Sequence, residues 1–224
     1  GIVKADVKFA ENSKTNIGED NLYIEVLAPR DKLEEKVKIG DLVSLDSPFY
    51  EDEDFIMARS LSQKIFQYIS LNLAGKIKDK TYPFDLYVGG ISQSTIGFRG
   101  TKTATYVIKP DLALALASFE TNASSPKISL GDGLIVGKYD KQMLPDKKLL
   151  SFVEDRFESK SYLGLRGNDG SFIHKTISGT PSLSVGLATA NISTANEIVL
   201  KTDIEKLENF LIDFLDQVGE FLGE

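Results

Sequence analysis

Apolar residues alternate with polar ones, or cluster in short runs, over residues 2–9 (IVKADVKF) and 22–27 (LYIEVL). That is the period of β-strands. The polar stretch between them, residues 11–20, reads as a loop. Residues 31–38 (DKLEEKVK) suit two helical turns and residues 42–45 (LVSL) a further short strand. The period then lengthens. Leu61, Ile65, Tyr68, Ile69 and Leu73 recur at helical spacing, which predicts a helix over residues 58–74 with Gly75 as its stop. Residues 85–91 (DLYVGGI) predict the first core strand. Gly97 to Gly100 leads into a helix through Ile108, which Pro110 ends. Residues 112–118 (LALALAS) are unbroken by charge, as in the buried middle of a parallel sheet.

Residues 121–127 read as a loop, and Gly131-Asp132-Gly133 as a turn before a strand at 134–136. A helix is predicted over residues 145–159, with Leu149, Leu150, Val153 and Phe157 on one face. A short strand follows at 162–165. Gly167-Asn168-Asp169-Gly170 is a turn opening a helix through Ser178. Gly179-Thr180-Pro181 breaks it ahead of a core strand at 182–187 (SLSVGL). The last helix is the plainest pattern. Ile204, Leu207, Phe210, Leu211, Phe214, Leu215, Val218, Phe221 and Leu222 hold a 3-4 spacing, and Thr202 with Glu205 form a capping-box pattern at its start. Its polar face is acidic, which suits packing on a sheet and not a membrane surface. Strands alternating with helices after residue 55 give an α/β architecture. Two domains are expected: a small β-rich one over residues 1–50 and an α/β lobe over residues 51–224. The acidic passage at 46–54 (DSPFYEDED) is their solvated boundary.

The 224 residues are 42% hydrophobic and 26% charged, with a net charge of −7. That acidity argues against nucleic acid as a partner, because phosphates need a basic surface. No apolar run approaches the roughly 20 residues of a membrane span, and none reads as a signal peptide. Neither a membrane nor a nucleic-acid partner is expected. The absence of cysteine excludes disulfides, thiolate metal sites and cysteine nucleophiles, and it fits a cytoplasmic location. His174 is the single histidine. Zinc and cobalt sites draw on imidazole or thiolate. On composition alone, a metal here would sit among carboxylates, which suits magnesium or calcium. The chain starts at Gly1, either after a trimmed or tagged start or as a fragment of something longer.

Candidate chemistry is sparse. The 97–100 run (GFRG) is too short and wrongly spaced for a dinucleotide or phosphate loop, and reads as a turn into a helix. Ser94 lacks the G-x-S-x-G elbow of a nucleophilic serine. His174 lies in a short helix and reads as a structural or surface residue. Asp169 stands at a helix start, where a carboxylate caps free N–H groups.

In their order, these stretches resemble the dinuclear-metal aminopeptidases that assemble as tetrahedral shells, the glutamyl and leucyl aminopeptidases also described as cellulase or endoglucanase M. Residues 37–46 (VKIGDLVSLD) look like the segment closing that family's inserted β domain. Residues 58–64 (ARSLSQK) look like its Gly-Arg-Ala-Leu-Asp-Asp-Arg motif. Residues 93–100 (QSTIGFRG) look like Gln-Glu-Glu-Val-Gly-Leu-Arg-Gly, and residues 110–117 (PDLALALA) like Pro-Asp-Ile-Ala-Ile-Ala-Ile-Asp. Residues 167–170 (GNDG) look like Gly-Thr-Asp-Ala, and residues 193–197 (STANE) like His-Ser-x-x-Glu.

The departures fall on the chemistry. By the resemblance, Ser62 replaces the metal-bridging Asp, Ser94 the general-base Glu, Thr95 the adjacent ligand Glu, Ala117 the ligand Asp and Ser193 the final ligand His. The frame stays: Arg59, Gln93, Gly97, Arg99, Gly100, Pro110, Asp111, Asp169 and Glu197. The family's first ligand His belongs to an N-terminal segment that these 224 residues do not contain, so an open sheet edge is expected.

The resemblance implies a three-layer α/β/α metallopeptidase lobe of phosphorylase/hydrolase-like type, with a small inserted β-barrel-like domain. The family uses two Zn or Co ions; here no catalytic residue, no metal ligand and no cofactor are expected. The expected function is a metal-free, inactive homologue acting as scaffold, regulatory subunit or peptide binder. Peptides and copies of itself, as a dimer or larger shell, are the expected partners. Two alternatives stand beside it. One is a hydrolase that cleaves N-terminal residues with a rearranged site drawn from Asp111, Glu120, Asp169 and His174. The other is a fragment whose remainder completes the function.

Overall fold

A computed structural model describes residues 1–5, 21–121 and 127–223. The loops expected at 11–20 and over most of 121–127, and the end of the strand expected at 2–9, lie outside the described residues. The chain divides into two compact units, Gly1–Leu45 and Asp46–Glu224.

In the first unit, strands β1 (Ile2–Ala5) and β2 (Leu22–Glu25) pair antiparallel. Helix α1 (Arg30–Lys36) follows where two turns are predicted. Residues 42–45 form no strand, and Leu42, Val43 and Leu45 are exposed. A short apolar run is not a strand until a neighbouring ladder takes its backbone groups.

The second unit is α/β, with two sheets. Strands β3 (Tyr50–Glu51) and β4 (Phe55–Ala58) form an antiparallel sheet with β9 (Glu197–Leu200). The larger sheet contains β5 (Ala113–Glu120), β6 (Ile135–Tyr139), β7 (Lys160–Leu163) and β8 (Ser182–Thr189) in the order β5-β8-β6-β7. β5 runs parallel to β8 and β7 parallel to β6, while β6 and β8 are antiparallel. Every residue of β8 is buried. Its Gly186 sits opposite Ala117, and a Cβ there would lie 1.8 Å from the Ala117 carbonyl oxygen. Only glycine allows that approach.

Helix α2 (Leu61–Ile77) begins three residues later than predicted, because Ala58 belongs to β4. It runs through Gly75, whose isolated helical cost of about 1 kcal/mol is outweighed by burying Leu73 and Ile77. Helix α3 (Arg99–Ile108) follows the polar loop, and α4 (Lys147–Arg156) is capped by Asp146, which accepts from Leu149 N at 2.9 Å. Helix α5 (Gly170–Ile173) is a single turn. Helix α6 (Lys201–Leu222) buries Ile204, Leu207, Phe210, Leu211, Phe214, Leu215 and Val218 as the pattern requires. These side chains join Leu149, Val153, Leu183 and Val185 in the main core.

Three expectations are corrected. Residues 85–91 form no strand with any described residue, and Tyr87 is 65% exposed. Strand β5, predicted for the sheet interior, has a hydrogen-bonded neighbour on one side only among the described residues. The Thr202–Glu205 capping box is not used, since β9 feeds straight into α6 and no side chain caps its start. Instead Asp203, fully buried, accepts from Gly131 N at 2.8 Å and Gly133 N at 3.0 Å.

Candidate functional site

The elements of the second unit line an open cavity of about 1900 Å³. It is bounded by α2, residues 83–95, β5, the 165–169 loop and one face of α6. Ser62, Ser94, Thr95, Ala117 and Ser193 all line it, as do Gln93, Asp111, Asp169 and Glu197. The residues singled out in sequence from five separate segments therefore meet at one place. Arg59, Gly97, Arg99 and Gly100 do not line it; they shape the turns beside it. Gly97 has φ +87°, and a Cβ on Gly100 would lie 2.3 Å from the Ser92 carbonyl oxygen.

Glu197 is the hub. Its side chain is buried, and its two oxygens accept from Ser62 N at 2.6 Å and Ser193 N at 2.8 Å. One carboxylate thus holds the first turn of α2 and the loop before β9. The carbonyl of Ser62 accepts from Ser118 Oγ at 3.1 Å, which in turn accepts from Thr189 Oγ1 at 2.9 Å. Ser193 Oγ accepts from the Arg166 guanidinium at 3.2 Å. Ala117, on β5, contributes a methyl group and no donor or acceptor.

The second hub is Asp169. It makes no side-chain cap on α5. Its Oδ1 accepts from Thr101 Oγ1, and from Ser94 Oγ at a long 3.4 Å. Ser94 Oγ also lies 3.2 Å from the Ile91 carbonyl. Thr95 Oγ1 accepts from Gln63 Nε2 at 3.1 Å. Asn168 Oδ1 takes Gly170 N and Ser184 Oγ, both at 2.9 Å, and fixes the loop. Burial pushes the Tyr162 phenol above its usual pKa; the nearby Glu120 charge adds to this and Arg166 opposes it. Tyr162 therefore stays a neutral O–H at neutral pH.

Sequence reasoning missed Thr101, Ser118, Thr189, Asn168 and Arg166. Thr101 is wholly buried on a helix whose other buried residue is Thr105. A threonine on the inward face of an amphipathic helix was the available signal. His174 is apart: it does not line the cavity, and its Nδ1 sits 2.9 Å from the carbonyl of Gly170 in its own turn.

The backbone around the cavity is unusual. Ser60, Gln93, Phe98 and Ser193 all have positive φ without being glycine. Such conformations cost about 1–2 kcal/mol each and concentrate where function imposes the backbone.

Residues 1–210 match the family model of the M42 glutamyl aminopeptidases. The chain belongs to the M42 glutamyl aminopeptidase family. Over 209 residues it is 22% identical to the Acetivibrio thermocellus protein named "Putative aminopeptidase", covering 88% of this chain and 63% of that one. A TET aminopeptidase from the marine sediment archaeon Thaumarchaeota archaeon SCGC AB-539-E09 shares the fold at TM-score 0.87 and 22% identity, over 97% of this chain and 66% of that one. An aminopeptidase from Desulfurococcus kamchatkensis does so at TM-score 0.83 and 19% identity, over 96% and 64%. The chain spans about three fifths of the length of the curated relatives it matches.

Membership corrects the expectation of no cofactor: M42 aminopeptidases are metal-dependent. Among the described residues, the donor set does not fit a pair of ions. Such centres need converging carboxylates and imidazoles. Among the described residues, no three His, Cys, Asp or Glu side chains converge to hold a metal. Ser62, Thr95 and Ser193 offer neutral hydroxyls, and the Glu197 carboxylate is engaged by two backbone N–H groups.

Proposed function

We propose that this M42 aminopeptidase homologue binds peptides without hydrolysing them, serving as a scaffold or regulatory member of a homo-oligomer. The observation that carries the reading is the state of Ser94. Peptide hydrolysis needs a group within hydrogen-bond reach that takes a proton from the attacking water. Ser94 occupies the loop position where the resemblance places that group. A hydroxyl has no basicity at neutral pH, and this one is turned towards Ile91 O and Asp169. The reading that Ser62, Thr95, Ala117 and Ser193 stand in for lost metal ligands belongs to the same proposal.

The cavity favours an extended peptide. It is lined by carboxylates such as Glu120 and Asp169, by the Arg166 guanidinium and by apolar side chains. An α-amino group and a C-terminal carboxylate would each meet an opposite charge there. The oligomer reading draws on the Pyrococcus horikoshii TET1 peptidase, described as assembling into a tetrahedron or a large octahedral shell, which shares this fold at TM-score 0.77.

The test is calorimetric titration of the chain with short peptides, with the products read by mass spectrometry. Saturable binding with intact peptide recovered supports the proposal. Cleaved peptide, or no binding across a varied panel, contradicts it.

A further inference from the structure

We infer that the bound peptide is gripped by its C-terminal carboxylate, on the Arg166 guanidinium and the Tyr162 hydroxyl. This rests on the peptide-binding reading above and names the end of the peptide that the site needs. Arg166 is exposed and lines the cavity. It donates to Ser193 Oγ at 3.2 Å and pairs with no carboxylate among the described residues. A guanidinium carries five N–H donors in a planar fork that matches the two oxygens of a carboxylate.

The segment that carries Arg166 is tied down on both sides. Before it, Gly164 N donates to the Tyr139 carbonyl at 3.1 Å; after it, Asn168 Oδ1 accepts from Ser184 Oγ at 2.9 Å. Ser193, the acceptor, is itself held through its N–H by Glu197. A donor fixed before the ligand arrives loses less entropy on binding.

Tyr162 marks the same place independently. It is only 4% exposed yet lines the cavity, and its hydroxyl has no hydrogen-bond partner among the described residues. Phe119 packs on its ring at 4.8 Å between centroids, and a Cβ on Gly164 would overlap both ring and hydroxyl, so the glycine admits the phenol. An unpartnered, largely buried hydroxyl is costly, and a ligand acceptor relieves that cost. The phenol keeps its proton at neutral pH and therefore donates. The Arg166 charge reaches this phenol. A cationic fork beside a neutral O–H suits a carboxylate. Glu120 and Asp140 act on the phenol with the opposite sign and weaken any anion held there. An α-ammonium is repelled by the guanidinium, whereas a C-terminal carboxylate brings only a neutral amide behind it.

The test is calorimetric titration of the full 224-residue chain with one tetrapeptide of alanine and leucine in several forms. These are the free acid, the C-terminal amide, the N-acetyl acid, and an amide with glutamate at its second residue. The free acid should bind at least about tenfold more tightly than the amide, as the loss of a charge-assisted pair requires. Arg166→Gln should remove that difference, weakening the acid and leaving the amide unchanged. Tyr162→Phe should narrow it, and Glu120→Gln, which removes a repelling charge, should widen it. Equal binding of acid and amide overturns the inference and leaves the peptide-binding reading standing; no binding of any form overturns both. Arg166→Gln weakening acid and amide alike also overturns it, since Arg166 is then structural. So does a glutamate amide that matches the free acid, because a side-chain carboxylate then fills the site. A loss on acetylation larger than that on amidation overturns it as well, because the N-terminus is then the end held. Should a variant fail to fold, the peptide forms on the unaltered chain still decide.

Discussion

Glu197 ties together two segments more than 130 positions apart, Ser62 and Ser193, through their backbone N–H groups. Removing a carboxylate that satisfies two part-buried donors leaves both without a protein partner, at up to about 1–3 kcal/mol each. Glu197→Ala should therefore lower the unfolding free energy by roughly 2–4 kcal/mol and speed exchange of the Ser62 and Ser193 amides, read by calorimetry and hydrogen exchange. Unchanged exchange at both would remove Glu197 from its place as the hub. Asp203 makes a separate prediction. Burial raises its pKa; the N–H groups of Gly131 and Gly133 and the Lys206 charge pull the other way without cancelling it. A raised carboxyl binds its proton more tightly in the folded chain. Its stabilising contribution is thus complete below the ordinary carboxyl value of about 3.9 and is lost as pH rises through the folded value. The stability of the wild type relative to Asp203→Asn should fall over that window in denaturant titrations. A flat difference would contradict the assignment. The sequence made Glu197 visible only through a motif resemblance. Asp203 was invisible, because the Thr202–Glu205 pattern suggested a cap at a helix start that a strand enters directly.

Among the elements, α6 was legible because a 3-4 apolar period over 22 residues admits one structure. β5 was legible as a strand and misplaced in the sheet. Apolarity on both faces reports what a strand is suited to, while position in a sheet depends on which partners are present. The same cause explains residues 42–45 and 85–91, apolar runs without ladders. The pairing of β8 with β5 gives a sharp test. Gly186→Ala forces a methyl group into the Ala117 carbonyl, so backbone must shift in a parallel pair that spans eight residues of each strand. A loss of at least about 3 kcal/mol is expected in chemical unfolding. A near-neutral substitution would show that β5 is loosely held.

For the whole molecule, the second unit brings the motif residues of five segments to one cavity, so the candidate site was legible as a set of positions. Its hydroxyl network was not, since Thr101, Ser118 and Thr189 carry no motif and act only through tertiary contact. No helix among the described residues is long and apolar enough to cross a membrane. The proposed homo-oligomer predicts a mass of several chains in sedimentation equilibrium; a single-chain mass at all concentrations would contradict it. The central proposal is that this M42 chain binds peptides without hydrolysing them. The direct measurement is release of N-terminal residues from a peptide panel by the purified chain, with zinc or cobalt supplied. No release above that from metal and peptide alone is expected. Saturable release that scales with the chain and with added metal would contradict it.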